Sequence, residues 1–264
     1  MDAFASLQRS IERLVGFKCS SYKEDYIKRR ILSRMRLTNC ADYEAYHRYL
    51  LANPQEIDLL RDALTINVTK FFRDPEVFEV LQREVLPDLA RSKRTIRIWC
   101  AGCATGEEPY SLAILAHELT ALRRDVNVTI YATDIDTGAL QKAMAGIYDE
   151  KALENVDERR IRRHFIGHDD GTFEVRPHIR NFVKFRQHDL MSGVPIARYL
   201  DMVTCRNVTI YFTEKQKNEL ARLFHSALAT DGYYVMGKTE YLGREVEHLF
   251  TPYNTAQKIL RKAA

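Results

Sequence analysis

Apolar and polar positions follow two different rhythms along this chain, and the change falls near residue 95. Before it, strand-length alternation is missing, helix formers dominate, and turn signals fall at Gly16, Thr38-Asn39 and Asn53-Pro54. The opening stretch MDAFASLQRSIERLVGF reads as an amphipathic helix, and residues 1 to about 85 are expected to form an all-helical domain with a link to the rest of the chain. Asp74-Pro75 predicts the start of a further helix. Asp suits the N-cap because its carboxylate accepts a free backbone N–H, and Pro suits the first helical position because it has none to donate. That helix is expected to run through Val77, Leu81 and Val85 toward Pro87.

From Thr95 short β-rich runs alternate with helical patterns: TIRIWC, a helix from Glu107 to about Leu122, NVTIYATD, then a helix from about Asp136. A second block obeys the same rule, with MVTC at 202–205, a helix from Glu214 to about Ala229, GYYVM at 232–236 and a final alternating run, TAQKIL. Such alternation predicts an α/β domain over residues 86–264 built on a parallel sheet. Between the blocks, residues 150 to 187 hold a charged helical stretch and then TFEVR and NFVKFR around Pro177, which suggests a small antiparallel β-subdomain.

The length of 264 residues and a hydrophobic fraction of 45% suffice for one medium domain and a smaller one. The net charge of +4 excludes little. No apolar run is long enough to cross a bilayer and no signal peptide opens the chain, so a cytoplasmic protein without membrane insertion is expected. Five cysteines, odd in number and scattered, point to free thiols. Cys100 and Cys103 have CxxC spacing, but no second pair completes four ligands, and no metal is expected.

The first strand runs into a turn and helix from Trp99 to Ala113, with Gly102 and Gly106 in the turn. The carboxyl end of a first parallel strand is where nucleotide-type cofactors bind, because glycine lets the backbone approach the ligand. The loop is neither GxGxxG nor a P-loop, so a non-phosphorylated adenosyl ligand fits better than a phosphate. Asp134, ending the next strand, stands where a ribose diol would be held, and Asp136 is expected to cap the helix after it.

Four stretches together resemble one known family, the chemotaxis receptor methyltransferases called CheR: Asn67-Val-Thr-Lys-Phe-Phe-Arg73, AGCATGEEPYSLA, ATDID with its helix and GIY, and Cys205-Arg-Asn-Val-Thr-Ile-Tyr-Phe212. The resemblance runs over nearly the whole chain. It implies a helical amino-terminal domain preceding a Rossmann-like S-adenosylmethionine-dependent methyltransferase domain with a small antiparallel β-subdomain. It further implies that the enzyme is a protein-glutamate O-methyltransferase, which esterifies glutamate carboxylates on the cytoplasmic helices of methyl-accepting chemotaxis receptors and leaves S-adenosylhomocysteine. Carried over by position, the cofactor contacts are Asn67, Thr69, Arg73, Glu107, Asp134, Asn207 and Val208, with Gly102 in the turn. The family usually has Asn-Leu where this chain has Asp189-Leu190, and those two are expected on the adenine side. Phe71 and Phe72 are expected to pack between the domains.

Methyl transfer from a sulfonium to a carboxylate neutralises a cation with an anion, and a glutamate of ordinary pKa, roughly 4.3, is already ionised at pH 7. No general base is needed, and the sequence shows no nucleophile elbow. Arg73, a forked donor, and Tyr211, a single directed one, are expected beside the reacting carboxylate. In Tyr22–Leu37, Ile27, Ile31 and Met35 mark an inward face, while Lys28, Arg29, Arg30, Arg34 and Arg36 offer positive charge to acidic receptor helices. A basic helix would also suit RNA, but no aromatic-interleaved basic patch accompanies it, and no nucleic-acid partner is expected. A monomer is expected. The alternatives are a related methyltransferase acting on a small molecule or nucleic acid, and a domain that senses the cofactor without turnover.

Overall fold

The computed structural model of the chain describes residues 2–65 and 67–263. It divides into two compact units, one of residues 1–66 with 211–217, the other of 67–210 with 218–264. Among the described residues no helix is long and apolar enough to cross a membrane.

The first unit is built on four helices, α1 (Ala3–Val15), α2 (Glu24–Leu37), α3 (Tyr43–Ala52) and α4 (Pro54–Leu64). Asp2 opens α1 by accepting the Phe4 N–H, and Gly16 closes it in the left-handed conformation at φ 73°. Phe4, Leu7, Ile11 and Val15 then fall on one buried stripe, facing a core that takes Tyr26, Ile27, Ile31 and Met35 from α2. Inside this core lies one polar knot. Arg34 grips both Glu56 oxygens at 2.9 and 2.7 Å, and the Tyr46 hydroxyl donates to the same carboxylate at 2.7 Å. The segment 211–217 joins this unit through the Lys23 N–H on the Tyr211 carbonyl, the Thr213 N–H on the Ser21 carbonyl, and a bridge between Tyr22 and Phe212.

The second unit begins with a long helical run, α5 (Pro75–Val80), a π-helical turn (Leu81–Val85) and α6 (Leu86–Ser92). The run continues past Pro87, whose ring and missing N–H disturb the α-helical ladder. A widened π turn just before it accommodates the defect. The expected domain boundary near residue 85 therefore falls inside a continuous helical run, and the division lies at Asn67 instead. Asp74 stands at the N-cap position before Pro75 as predicted, but its side chain does not cap the helix. It sits at φ 58° and turns its carboxylate to Arg206.

The alternating blocks form β1 (Thr95–Ala101), α7 (Glu107–Leu122), β2 (Asn127–Asp134), α8 (Thr137–Ala145), β3 (Ile147–Asp149), α9 (Glu158–His164), β4 (Phe165–Gly167), β5 (Thr172–Val175), α10 (Pro177–Arg180), β6 (Val183–Gln187), β7 (Leu200–Cys205), α11 (Glu214–Ala227), β8 (Leu228–Met236), β9 (Phe250–Asn254) and β10 (Ile259–Lys262). The main sheet has seven strands in the order β6-β2-β1-β7-β8-β10-β9, with β10 antiparallel to both its neighbours. The central strands β1 and β7 are buried almost throughout, as parallel strands covered on both faces require. The fold is the Rossmann-like α/β arrangement with a small antiparallel sheet, ordered β3-β5-β4, inserted between α8 and β6.

Two expectations change here. The NFVKFR run belongs not to the insertion but to the main sheet, where β6 pairs in parallel with β2. Phe71 and Phe72 pack inside the second unit's own core, Phe71 edge-on against Tyr148 and Phe165 at 4.9 and 5.1 Å.

Candidate active site

Because β1, β2 and β7 are adjacent and parallel, their carboxyl ends open on the same edge, at the point where the strand order reverses around β1. Open α/β sheets bind ligands at such a switch point. The turn after β1 is held shut from both sides. Gly102 and Cys103 donate their N–H groups to the Thr133 carbonyl at 2.8 and 2.9 Å. Gly102 lies at φ 73°, and a Cβ there would stand 2.5 Å from a Val208 methyl, so only glycine admits the turn after β7 this closely. Two of the predicted cofactor residues, Gly102 and Val208, are thus neighbours.

Asp134 ends β2 with both oxygens engaged, one by the Ala104 N–H at 2.8 Å and the other by the Asp136 N–H at 3.0 Å. Burial pushes its carboxyl above the usual range against these two donors. Asp136 caps α8 as predicted, taking the Ala139 N–H at 3.0 Å, and its other oxygen accepts the Asn67 amide at 2.8 Å. Asn67 is so drawn to the acidic end of β2.

A cleft of about 720 Å³ within this unit is lined by Thr69, Arg73, Glu107, Asn155 and Lys238 among others. Glu107, the first residue of α7, is buried, and the Thr105 hydroxyl contacts its two oxygens at 3.0 and 2.7 Å. Burial raises its carboxyl above the ordinary value. Arg73 spends one guanidinium nitrogen on the Val68 carbonyl at 3.0 Å. A cation and a poorly compensated carboxylate in one cleft match the two charged ends of an amino acid. With no Lys-Ser/Thr loop to cradle phosphate, this donor set fits an adenosyl amino acid.

Two residues that sequence reasoning passed over hold this arrangement together. Arg206 is almost fully buried and spans from Glu108 at 3.1 Å to Asp74 at 2.7 Å, while donating to the Arg73 carbonyl at 2.8 Å. It ties the end of β7 to the backbone that carries Arg73, and it stood in plain view inside the Cys205–Phe212 stretch. Glu240, also buried, takes the N–H groups of Asn207, Val208, Thr209 and Gly237 and the Thr209 hydroxyl at 2.6 to 3.0 Å. With φ at 61°, Asn207 is kept in a left-handed turn by those bonds. No spacing pattern marks Glu240 in the sequence.

Asp189 accepts the Met191 N–H at 2.8 Å and starts a short 3₁₀ turn, Leu190–Ser192; neither Asp189 nor Leu190 lines the cleft. Tyr211 lies on the segment that folds with the helical unit, its ring 4.8 Å from Tyr26. On α2, Arg29 and Arg36 are exposed, Lys28 pairs with Glu24, and the Arg30 guanidinium lies 5.4 Å from the Tyr26 ring. The docking role expected for Arg34 is corrected by its bidentate grip on Glu56, which leaves it only 13% exposed. All five cysteines are free thiols, and burial pushes those of Cys100 and Cys103 well up.

Family comparison agrees with this geometry. Residues 67–259 match the family described as CheR methyltransferase, SAM binding domain, and residues 2–65 match its all-alpha domain. The chain is 33% identical to a chemotaxis protein methyltransferase of Listeria innocua, over 89% of this chain and 88% of that one. It is likewise 33% identical to chemotaxis protein methyltransferase 2 of Vibrio cholerae, over 87% and 82%. A chemotaxis protein methyltransferase 1 of Pseudomonas aeruginosa reaches 38% identity over 72% of each chain. The boundary between the two matches falls where the backbone itself divides, and on these grounds the chain belongs to the CheR methyltransferase family.

Proposed function

We propose that this chain transfers the methyl group of S-adenosylmethionine to glutamate carboxylates of chemotaxis receptors, forming glutamyl methyl esters. The observation that carries the reading is that Arg73 and the buried Glu107 line one cleft. The relatives named above support it.

Arg73 and Glu107 would hold the carboxylate and ammonium of the methionyl portion, with Thr69 beside them. Asn67 and Asp134 would serve the ribose, and Gly102, Asn207, Val208, Asp189 and Leu190 the adenine side. When bound, the cofactor supplies a methyl group made electrophilic by its sulfonium. An ionised glutamate needs no base to accept it, so the protein's task is to align the groups and exclude water, which contributes about 7 to 11 kcal/mol in favourable systems. Arg206 serves that task indirectly as a positioning residue, since it fixes the Arg73 backbone. The remaining Arg73 donors are proposed to orient the incoming carboxylate. Lys28, Arg29, Arg30 and Arg36 on α2 give the positive charge that an acidic receptor helix would meet.

Labelled S-adenosylmethionine and a receptor cytoplasmic fragment test this directly. Esters release labelled methanol in mild alkali, and the expected result is that most label on the receptor is lost this way. Base-stable label would overturn the proposal. In the same assay, Arg29→Glu with Arg36→Glu should slow receptor methylation at low salt while leaving cofactor affinity unchanged.

A further inference from the structure

Three histidines outside the cleft converge from three separate elements: His117 from α7, His164 from the end of α9 and His178 from α10. Each presents a ring nitrogen within 4.8 Å of the others. The closest approach is 3.1 Å, between His164 Nδ1 and His178 Nε2. The rings of His117 and His178 are 4.9 Å apart, and those of His117 and His164 5.2 Å apart. We propose that His117, His164 and His178 form a binding site for a divalent transition-metal ion of the zinc class, which fastens the inserted subdomain to α7.

Zinc–nitrogen bonds of about 2.0–2.1 Å in tetrahedral geometry set ligand nitrogens roughly 3.3 Å apart, so one edge of the site is already formed and the third ring needs a small shift. Packing alone leaves a cost unexplained. Among the described residues, His117 Nδ1 and His164 Nε2 are both buried and have no hydrogen-bond partner, whereas buried polar atoms are nearly always satisfied. Metal coordination would take up one of these lone pairs. His164 is fully buried, while His117 and His178 are only partly so. Imidazole is the nitrogen ligand suited to zinc, copper and nickel. Arg163 and Arg176 stand near enough to oppose added positive charge at His117 and His178, and Glu118 partly offsets them at His117.

Cobalt(II) reports on such a site through its visible d–d absorption. Titrated into the full chain, it should give a band that saturates at one equivalent and is erased by zinc. His178→Asn and His117→Gln, both at partly exposed positions where the fold should survive, should each weaken cobalt binding at least tenfold with unchanged circular dichroism. Zinc should raise the melting temperature of the wild type and not that of either variant. A wild type that gives no band at millimolar cobalt, variants that titrate like the wild type, or a near-ultraviolet sulfur-to-cobalt band would each overturn the proposal.

Discussion

Glu107 is an acid placed where ionisation is disfavoured. It is buried at the mouth of α7 with a threonine hydroxyl as its hydrogen-bonding partner, and its carboxyl is pushed above the ordinary value by desolvation. Its folded pKa thus exceeds its unfolded one. Such a group stabilises the fold while protonated, and that contribution is lost as pH rises through the folded value. Without cofactor at neutral pH, Glu107→Gln should therefore melt higher than the wild type, and the gap should close toward acid. The same change should weaken S-adenosylhomocysteine at least tenfold, because an ammonium loses its counter-charge. A variant that melts no higher at neutral pH would show that the site carries no such strain. This residue was legible in the sequence as a position in a motif, but its burial and its isolation were not, since both depend on what the fold lays over it.

At the scale of elements, the loops after β1, β2 and β7 are set by bonds between distant residues. Glu240 is the clearest case, a single carboxylate serving three successive N–H groups of the Asn207–Thr209 turn and closing onto Gly237. Removing it strands several buried donors at once, each costing about 1 to 3 kcal/mol. Glu240→Ala should therefore destabilise the protein by at least about 3 kcal/mol in denaturant unfolding, with Glu240→Gln losing less because an amide oxygen remains to accept. A loss under about 1 kcal/mol would mean that the turn holds itself.

Element existence was well marked by pattern: β1, α7 and β2 track the TIRIWC, EEPYSLA and NVTIYATD runs closely. Strand partnership was not. The NFVKFR run alternates like a hairpin strand, yet β6 is the edge of the parallel sheet, and period alone does not choose between those neighbours. The strand β9 was missed because FTPYN, with its central proline, resembles a loop; it is accepted at a sheet edge, where a missing N–H is tolerated.

For the molecule as a whole, the chain pattern separated a helical unit from an α/β unit but set the division one helix too late. Helical periodicity does not say which core a helix serves, and the Pro75–Ser92 run shares its core with β1 and α7. Nor does it show that residues 211–217 leave the second unit to pack with the first. The cofactor candidates Asn67, Thr69, Arg73, Gly102, Glu107, Asp134, Asn207 and Val208 all belong to the second unit, whereas Tyr211, expected beside the reacting carboxylate, belongs to the first. A structure of the protein with S-adenosylhomocysteine tests the candidate site most directly. The expected result is the ligand at the carboxyl ends of β1, β2 and β7, its carboxylate on Arg73, its ammonium on Glu107 and its ribose at Asp134. A ligand bound elsewhere, with Arg73 and Glu107 keeping their present partners, would contradict it.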